Sequence, residues 1–224
     1  MNVIVTGATG MVGKGVLLEC LDHTDVKEVL SIGRRSLNLK HPKLKELIHS
    51  DFSEFDSVKD KLTGYTACFA CMGVTSARTQ EKEYTIRTYD YTLALAKILY
   101  SIQPELTFTY VSGAGTDSSE QGKSMWARVK GKTENDILKL GFKKAYMFRP
   151  GAIIPLRGIT PSGKLYSRLI KMLKWALYLY KAFSPKSVVN TTQIGIAMIT
   201  VCKDGYSKTI LDPKDILKLS EPNH

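Results

Sequence analysis

The N-terminus of the chain carries the feature that most constrains its fold, a short apolar run followed directly by three spaced glycines. Residues 3–5 are uncharged and β-branched, which is typical of a buried strand. Gly7, Gly10 and Gly13 follow with the spacing G-x-x-G-x-x-G, and an apolar helical pattern then begins. This order predicts a strand–turn–helix unit whose turn is too tight for ordinary side chains.

The same turn matches the fingerprint of dinucleotide-binding proteins. In that fingerprint Gly7 permits the tight turn, Gly10 lets the backbone approach a pyrophosphate, and Gly13 lets the helix pack close to the strand. The N–H groups at the start of the helix then bind the phosphates. The predicted phosphate-binding residues are Gly7, Thr9, Gly10, Met11, Val12 and Gly13.

Beyond this unit, short apolar runs alternate with helical patterns. The alternation predicts an α/β fold with a doubly wound parallel sheet, right-handed crossovers and the strand order 3-2-1-4-5-6. We predict strands at 3–5, 26–33, 46–49, 65–72, 106–111 and 146–149, and helices at 11–21, 53–64, 81–103, 123–140, 164–183 and 191–201, before a closing strand and turn at 209–219. Residues 1–156 are expected to form the nucleotide-binding core. Residues 157–224 are expected to form a small helical extension of the same domain that covers the cleft.

The composition narrows the choice of partners and compartment. The formal net charge of +11 suits an anionic ligand, a membrane surface or nucleic acid, but nucleic-acid-binding signatures are missing. Cys68 and Cys71 lie at an odd offset on a predicted strand, so their sulfurs should point to opposite faces and form neither a metal site nor a redox pair. The chain has no basic leader sequence and no uncharged apolar run of membrane-spanning length, and we therefore expect a cytoplasmic protein.

The segment 164–183 is both basic and apolar, and it allows two interpretations. It is expected to cover the substrate side of the cleft or to contact another subunit of a homo-oligomer, with its lysines reaching water. Alternatively it is a basic amphipathic helix that lies on a membrane surface. The first interpretation is preferred. The sequence does not identify the small-molecule substrate.

The end of the second predicted strand indicates which cofactor is bound. An NAD site requires a carboxylate there for the ribose 2′-hydroxyl, and residues 30–45 contain none. Arg34 and Arg35 stand there instead, and a guanidinium fork suits a 2′-phosphate. NADP(H) is therefore predicted in preference to NAD.

Two further strand ends are predicted to contact the adenosine half of the cofactor. Asp51 follows the third strand and is positioned to accept from the adenine amine, with Phe52 packing near the ring. The end of the fourth strand should pass beneath the adenosine ribose and the pyrophosphate. Its residues are Cys71, Met72 and Gly73.

Together these motifs resemble an atypical short-chain dehydrogenase/reductase. The resemblance is to the Tat-interacting-protein and NmrA-like branch near the NAD-dependent epimerases, and it covers about residues 1–156. It implies a Rossmann fold, an NADP(H) site, and a contribution to that site from Pro150 and Gly151. The segments that carry it are Thr6–Gly13, Asp51, Val111–Ser112, Met125–Glu134 and Arg149–Gly151.

In that superfamily a serine acts together with the tyrosine and lysine of a Y-x-x-x-K motif. The resemblance assigns the serine to Ser112 and the lysine to Lys130, but Trp126 occupies the tyrosine position. A phenol can give and take a proton, whereas an indole N–H is only a donor and does not titrate usefully. Lys130 can still bind the nicotinamide ribose.

Two classes of function remain open from the sequence. In the first, the chain is an NADP-dependent oxidoreductase or epimerase whose proton donor comes from elsewhere, with Tyr84, Tyr89 and Tyr166 as candidates. In the second, it is a non-catalytic NADP(H)-binding protein that senses redox state or regulates a partner. Trp126 favours the second class.

Overall fold

The computed structural model of the chain describes residues 1–77, 79–159 and 185–221. Its strands are β1 Asn2–Thr6, β2 Glu28–Gly33, β3 Leu44–Ile48, β4 Ala67–Ala70, β5 Thr107–Val111, β6 Lys144–Phe148, β7 Ala152–Ile154, β8 Val188–Asn190 and β9 Ile210–Leu211. Its α-helices are α1 Met11–Asp22, α2 Glu81–Thr85, α3 Tyr91–Ile102, α4 Met125–Leu140, α5 Thr191–Asp204 and α6 Pro213–Leu219. The predicted helix 164–183 and Tyr166 lie outside the described residues.

The main sheet confirms the predicted fold class and strand order. Seven strands pair in the order β3-β2-β1-β4-β5-β6-β9, and every pair is parallel. The order reverses between β1 and β4, which is where nucleotides bind in doubly wound sheets. Two short strands, β7 and β8, form a separate parallel pair.

Both faces of the sheet are covered, so its central strands are buried and mostly apolar. Val3 and Val5 of β1 face the layer that contains α1 and α5, while Ile4 faces the layer that contains α3. Strands β4 and β5 are also buried throughout. The carboxyl ends of these strands are therefore the part of the sheet where polar chemistry meets solvent.

The last part of the chain contributes more to the sheet than the sequence pattern indicated. β9 adds a seventh strand beside β6. The predicted turn at the end of 209–219 is wrong, because residues 213–219 form α6. Asp212 caps that helix by accepting from the backbone N–H groups of Lys214 at 2.8 Å and Asp215 at 3.1 Å, and Pro213 suits the first helical position.

The predicted helix 81–103 is helical throughout, but it changes type in the middle. α2 passes into a π-helical turn, Ile86–Asp90, which continues directly into α3. Turns of this kind occur often at functional sites. The brief helix and turn predicted over 53–64 are present as a 3-10 helix, Asp56–Leu62, followed by a turn.

Helix α1 is held against the sheet by close contact with α5. A Cβ at Gly15 would lie 2.5 Å from the Cβ of Thr191, and a Cβ at Gly195 would lie 2.7 Å from the Cγ of Glu19. Only glycine permits such an approach at either position. Packing against α5 thereby fixes the position of α1, whose start follows the glycine turn.

Candidate nucleotide-binding and active site

The glycine turn brings three backbone segments into direct contact. Gly7 has φ +72°, and a Cβ there would lie 2.4 Å from the carbonyl oxygen of Cys71. A Cβ at Gly13 would lie 2.2 Å from the carbonyl oxygen of Gly7. The backbone N–H of Gly10 closes the turn by donating to that same oxygen at 2.8 Å. Because a side chain fits at neither Gly7 nor Gly13, the turn joins β1, β4 and α1 closely.

The first turn of α1 is suited to an anion. Gly10 precedes the helix and makes no side-chain capping hydrogen bond, and the first turn contains no acidic residue. Met11 and Val12 begin the helix, and Gly13 is buried against the turn. The N–H groups at the start of a helix lack partners within the helix and carry a partial positive charge.

A cleft of about 220 Å³ opens in front of this turn, at the carboxyl ends of β1, β2 and β4. Nine of the predicted cofactor-binding residues line it. They are Gly7, Thr9, Gly10, Arg34, Arg35, Phe52, Cys71, Met72 and Gly73. The structure thus brings together most of the adenosine and pyrophosphate side of the predicted site.

The charge on the cleft wall is one-sided. Among the described residues that line it, three are arginines and none is acidic. Arg34 and Arg35 follow β2 and are exposed. The loop behind them is held by Glu46 of β3, which accepts from the backbone N–H of Leu37 at 2.8 Å and the hydroxyl of Ser36 at 3.1 Å.

The residues after β3 divide between core and surface. Phe52 is buried and packs edge-on against Phe55, with ring centroids 5.6 Å apart. Asp51 is exposed and does not line the cleft. Its carboxylate accepts from the backbone and hydroxyl of Ser53, and these bonds lower the pKa of Asp51. Its contact with adenine stays a prediction.

Among the cleft-lining residues that were not singled out from the sequence, two come from the helical segment after β4. Arg87 lies in the π-helical turn and Tyr91 begins α3. The helical pattern over 81–103 did not indicate which face the cleft would use. Their spacing of four residues, on a helix that follows the strand end at Gly73, was the available signal.

At the end of β5 the predicted pair, Ser112 and Lys130, is brought together. The Lys130 ammonium donates to the backbone carbonyl of Ser112. The Ser112 hydroxyl, however, donates to the carboxylate of Glu134, and it also lies 3.1 Å from the carbonyl oxygen of Phe148. Because both neighbours are acceptors, the hydroxyl hydrogen is directed into the protein.

Glu134 belongs to a buried ion pair that sequence reasoning missed. Its side chain is fully buried, and that of Arg149 is 19% exposed. The Arg149 Nε donates to Glu134 at 3.0 Å, and its terminal nitrogen donates to the Ser118 hydroxyl at 2.6 Å. A buried carboxylate requires such partners. The signal was the acidic residue one turn after Lys130 on a helix that faces the sheet.

Lys130 is partly buried, and its position changes its titration. Burial disfavours the charged ammonium and lowers its pKa to about 8, while the nearby Glu134 carboxylate acts in the opposite direction. An amine in this range titrates close to physiological pH. Lysines with lowered pKa values are more frequent at functional sites than elsewhere.

Trp126 is partly buried and packs against the loop that follows β5. A Cβ at Gly115 would lie 3.4 Å from the Cη2 atom of the indole, and Gly115 adopts φ +87°. Trp126 does not line the described cleft. Its ring therefore covers the loop after Ser112.

The described tyrosines proposed as alternative proton donors are engaged elsewhere. Tyr84 is 2% exposed, and burial raises its pKa. The Tyr89 hydroxyl donates to Asp136 at 2.8 Å, and burial together with that bond raises its pKa. Neither residue lines the cleft.

Pro150 and Gly151, assigned to the cofactor by resemblance, support the loops behind it. The Pro150 carbonyl accepts from the backbone N–H of Ala114 at 2.8 Å. A Cβ at Gly151 would lie 2.2 Å from the carbonyl oxygen of Ser187. Neither residue lines the cleft, and their contact with a cofactor stays a prediction.

The cysteines of the C-x-x-C sequence are separated by the sheet. Cys68 lies in the core layer that contains α3, whereas Cys71 packs against the layer that contains α1. Burial raises the pKa of both thiols. Within residues 1–77, 79–159 and 185–221, no cluster of His, Cys, Asp or Glu side chains is arranged to hold a metal ion.

Fold, strand order and glycine turn together define the class of protein, a parallel α/β protein of the Rossmann type. The chain belongs to the NAD dependent epimerase/dehydratase family, whose model matches residues 3–124. It is 28% identical to FMP52-1, mitochondrial, of Scheffersomyces stipitis, over 78% of this chain and 76% of that protein. It is 27% identical to HTATIP2 of Rattus norvegicus, over 75% of this chain and 69% of that protein. The resemblance found in the motifs is confirmed.

Solved structures agree on the fold. Bordetella bronchiseptica WbmF in complex with NAD+ has a TM-score of 0.70 at 15% identity, covering 97% of this chain and 76% of that chain. The Bacillus cereus UDP-glucuronic acid 4-epimerase, in complex with UDP-glucuronic acid and NAD, has a TM-score of 0.69 at 15% identity, covering 95% and 77%. At this identity the likeness establishes the fold alone.

The predicted cytoplasmic location is wrong. FMP52 relatives from Scheffersomyces stipitis, Emericella nidulans, Candida albicans and Debaryomyces hansenii are named mitochondrial, at 26–28% identity over most of the chain. Free cysteines indicate a reducing environment, and they do not distinguish one reducing compartment from another. None of the helices in the described ranges is long and apolar enough to cross a membrane.

Proposed function

We propose that the chain binds NADP(H) in the cleft, and that it acts as a redox-dependent binding or regulatory protein with little turnover of ordinary carbonyl compounds. One observation carries the choice of cofactor. The cleft beside the glycine turn is lined by arginines and by no carboxylate among the described residues. A carboxylate would favour a ribose 2′-hydroxyl, whereas guanidinium groups favour a 2′-phosphate.

The residues present fit a dinucleotide. A Cβ at Gly7 or Gly13 would collide with neighbouring backbone, so glycine is required for the tight turn that places the start of α1 beside the cleft. The uncapped N–H groups of α1 suit a pyrophosphate. Arg34 and Arg35 would hold the 2′-phosphate, and Lys130 would hold the nicotinamide ribose. When bound, NADP(H) supplies or accepts a hydride.

The proposal of low turnover rests on the lack of a suitable proton donor among the described candidate residues. Carbonyl reduction needs a donor near the accepting oxygen. Trp126 does not titrate usefully, and the Ser112 hydroxyl already donates to Glu134. Tyr84 and Tyr89 are committed elsewhere. These contacts favour binding over chemistry.

The second candidate is an oxidoreductase or epimerase. The family match and a fold neighbour described as a UDP-glucuronic acid 4-epimerase favour it. Here the proton would come from water or from a residue outside the described ranges. Oxidation of NADPH, followed by absorbance across a panel of aldehydes, ketones and quinones, separates the two candidates, since rapid turnover of any member would favour the enzyme.

Calorimetry of NADPH and NADH binding tests the cofactor. We expect wild type to prefer NADPH, because a charge-assisted contact to phosphate is worth ~1.5–3 kcal/mol, about tenfold to a hundredfold in affinity. Arg34→Ala should weaken NADPH binding and leave NADH nearly unchanged. Lys40→Ala is the matched control, since Lys40 is exposed in the same loop but does not line the cleft. Equal wild-type affinity for the two cofactors would refute the proposal.

A further inference from the structure

We propose that Arg87 is a second determinant of 2′-phosphate specificity, and that Glu83 competes with the phosphate for it. The inference rests on the proposed NADP(H) function and adds a residue that no motif assigns. Arg87 lines the cleft from the helical side, whereas Arg34 and Arg35 reach it from the end of β2. A phosphate in the cleft would therefore meet guanidinium groups from two separate elements.

The local backbone explains why Arg87 faces the cleft. It lies in the π-helical turn, four residues before Tyr91, and both side chains line the cleft. Thr88 and Tyr84 are buried on the side that faces the protein. The helix thus directs one surface into the core and leaves Arg87 on the cleft surface.

Tyr91 connects this surface to the predicted adenine side. Its ring centroid lies 6.1 Å from that of Phe52, and the two rings are tilted by 41°. Phe52 is buried and lines the same cleft. An adenine placed beside these aromatic rings would bring the adjoining ribose phosphate towards the arginines.

Arg87 is paired with Glu83 of α2. The guanidinium nitrogen lies 2.8 Å from the carboxylate oxygen, and the two side chains are 43% and 52% exposed. Ion pairs this exposed contribute little to stability. Arg87 can therefore exchange its partner at small cost. A phosphate can accept two hydrogen bonds from the Arg87 guanidinium group in bidentate geometry.

This competition predicts opposite effects for the two partners. Removing Arg87 should weaken binding of a 2′-phosphate, while neutralising Glu83 should strengthen it, because the guanidinium is then free before the ligand arrives. Neither change should affect a ligand that lacks the 2′-phosphate. The Glu83 effect should also depend on the presence of Arg87.

The experiment compares 2′,5′-ADP with 5′-AMP by calorimetry, because the two probes share adenosine and the 5′-phosphate but differ in the 2′-phosphate. We expect Arg87→Ala to weaken 2′,5′-ADP about tenfold and to leave 5′-AMP within about twofold. Glu83→Gln should strengthen 2′,5′-ADP about twofold to threefold. Lys82→Ala is the matched control, because it also removes one positive charge from this helical segment but Lys82 does not line the cleft. Its affinities for both probes should match those of wild type.

The double variant Glu83→Gln/Arg87→Ala completes the cycle and should bind like Arg87→Ala alone. The inference is overturned if Arg87→Ala weakens both probes equally, if Lys82→Ala has the same effect, or if the Glu83→Gln gain persists without Arg87. If wild type binds 2′,5′-ADP more tightly than 5′-AMP and Arg87→Ala keeps the wild-type affinities, this inference is overturned and the NADP(H) proposal stands. Wild type without that preference would refute both.

Discussion

The two ends of the candidate site are built in different ways. At the glycine end, the geometry comes from backbone contacts among β1, β4 and α1, and the residues match the family pattern. At the Ser112 end, the geometry comes from side chains, and Trp126 stands at the position where the resemblance expects a tyrosine. The hydroxyl and the ammonium there both bond to protein acceptors. Under the proposed function, this difference predicts that changes at the Ser112 end leave cofactor binding at the glycine end intact.

The largest effect is expected from breaking the buried ion pair between Glu134 and Arg149 at the Ser112 end. Replacing Glu134 with Ala leaves Arg149 without its carboxylate and Ser112 without its acceptor. Breaking a buried pair in this way costs ~3–5 kcal/mol, and we expect a loss of that size in urea unfolding. Cofactor binding at the glycine turn should persist at temperatures where the variant stays folded.

Glu134→Gln is the control, since it keeps the volume and an acceptor oxygen for Ser112. It should lose less stability than Glu134→Ala. A loss below ~1 kcal/mol for Glu134→Ala would contradict a structural role for the pair, and it would remove the contrast between the two ends.

The next largest effect is expected at the glycine end. Gly13→Ala places a Cβ 2.2 Å from the carbonyl oxygen of Gly7, and backbone cannot yield as a side chain can. We expect a stability loss of roughly 1–3 kcal/mol together with loss of NADPH binding in calorimetry. Gly73→Ala is the matched control for stability, because nothing lies within 4 Å of its added Cβ. Normal NADPH binding by Gly13→Ala would show that the turn does not form the phosphate site.

Trp126→Tyr tests whether the missing phenol alone limits turnover. A general acid is typically worth ~10²–10⁴-fold, but the Ser112 hydroxyl remains directed at Glu134. We therefore expect a gain in NADPH-dependent reduction of no more than about tenfold. Trp126→Phe, which offers no proton, should show none.

The experiment compares the rates of NADPH-dependent reduction by wild type, Trp126→Tyr and Trp126→Phe on one panel of substrates. A fast wild type whose rate survives Trp126→Phe would mean that the proton comes from elsewhere, and the regulatory proposal would lose its main support. A gain in Trp126→Tyr alone would support the inert wild-type site.

The smallest effect concerns the titration of Lys130. Its pKa of about 8 in the folded protein lies below the usual 10.5. Between these values the unfolded state binds more protons, so the stability of wild type should rise with pH. Relative to Lys130→Met, the free energy of unfolding should increase by about 1.3 kcal/mol from pH 7 to pH 9. A difference that stays constant over this range would indicate that Lys130 is not shifted.

Much of the fold follows from local patterns, because apolar runs and glycine spacing report backbone requirements directly. Gly141 is an example, since it directly follows the predicted helix 123–140 and ends α4 in the left-handed conformation with φ +89°. Gly7 and Gly13 are others. The strand order was predicted from the arrangement that doubly wound dinucleotide-binding sheets share.

Features that depend on long-range side-chain pairing were not predictable in this way. Glu134 and Arg149 are 15 residues apart in sequence and meet only when α4 packs on the sheet. Arg87 looked like any exposed helical arginine until the π-helical turn and the cleft were seen together. The strand β9 was expected at the end of the chain, but its pairing with β6 depends on the completed sheet.

The contact between α1 and α5 has a consequence for how the protein is made. The apolar face of α1, with Val16 and Cys20, is synthesised well before residues 191–204, which cover it in the folded protein. At ~5–20 residues per second, the interval lasts roughly ten seconds or more. During this time we expect the nascent chain to expose an apolar helix face, the kind of surface that promotes aggregation until the second helix arrives.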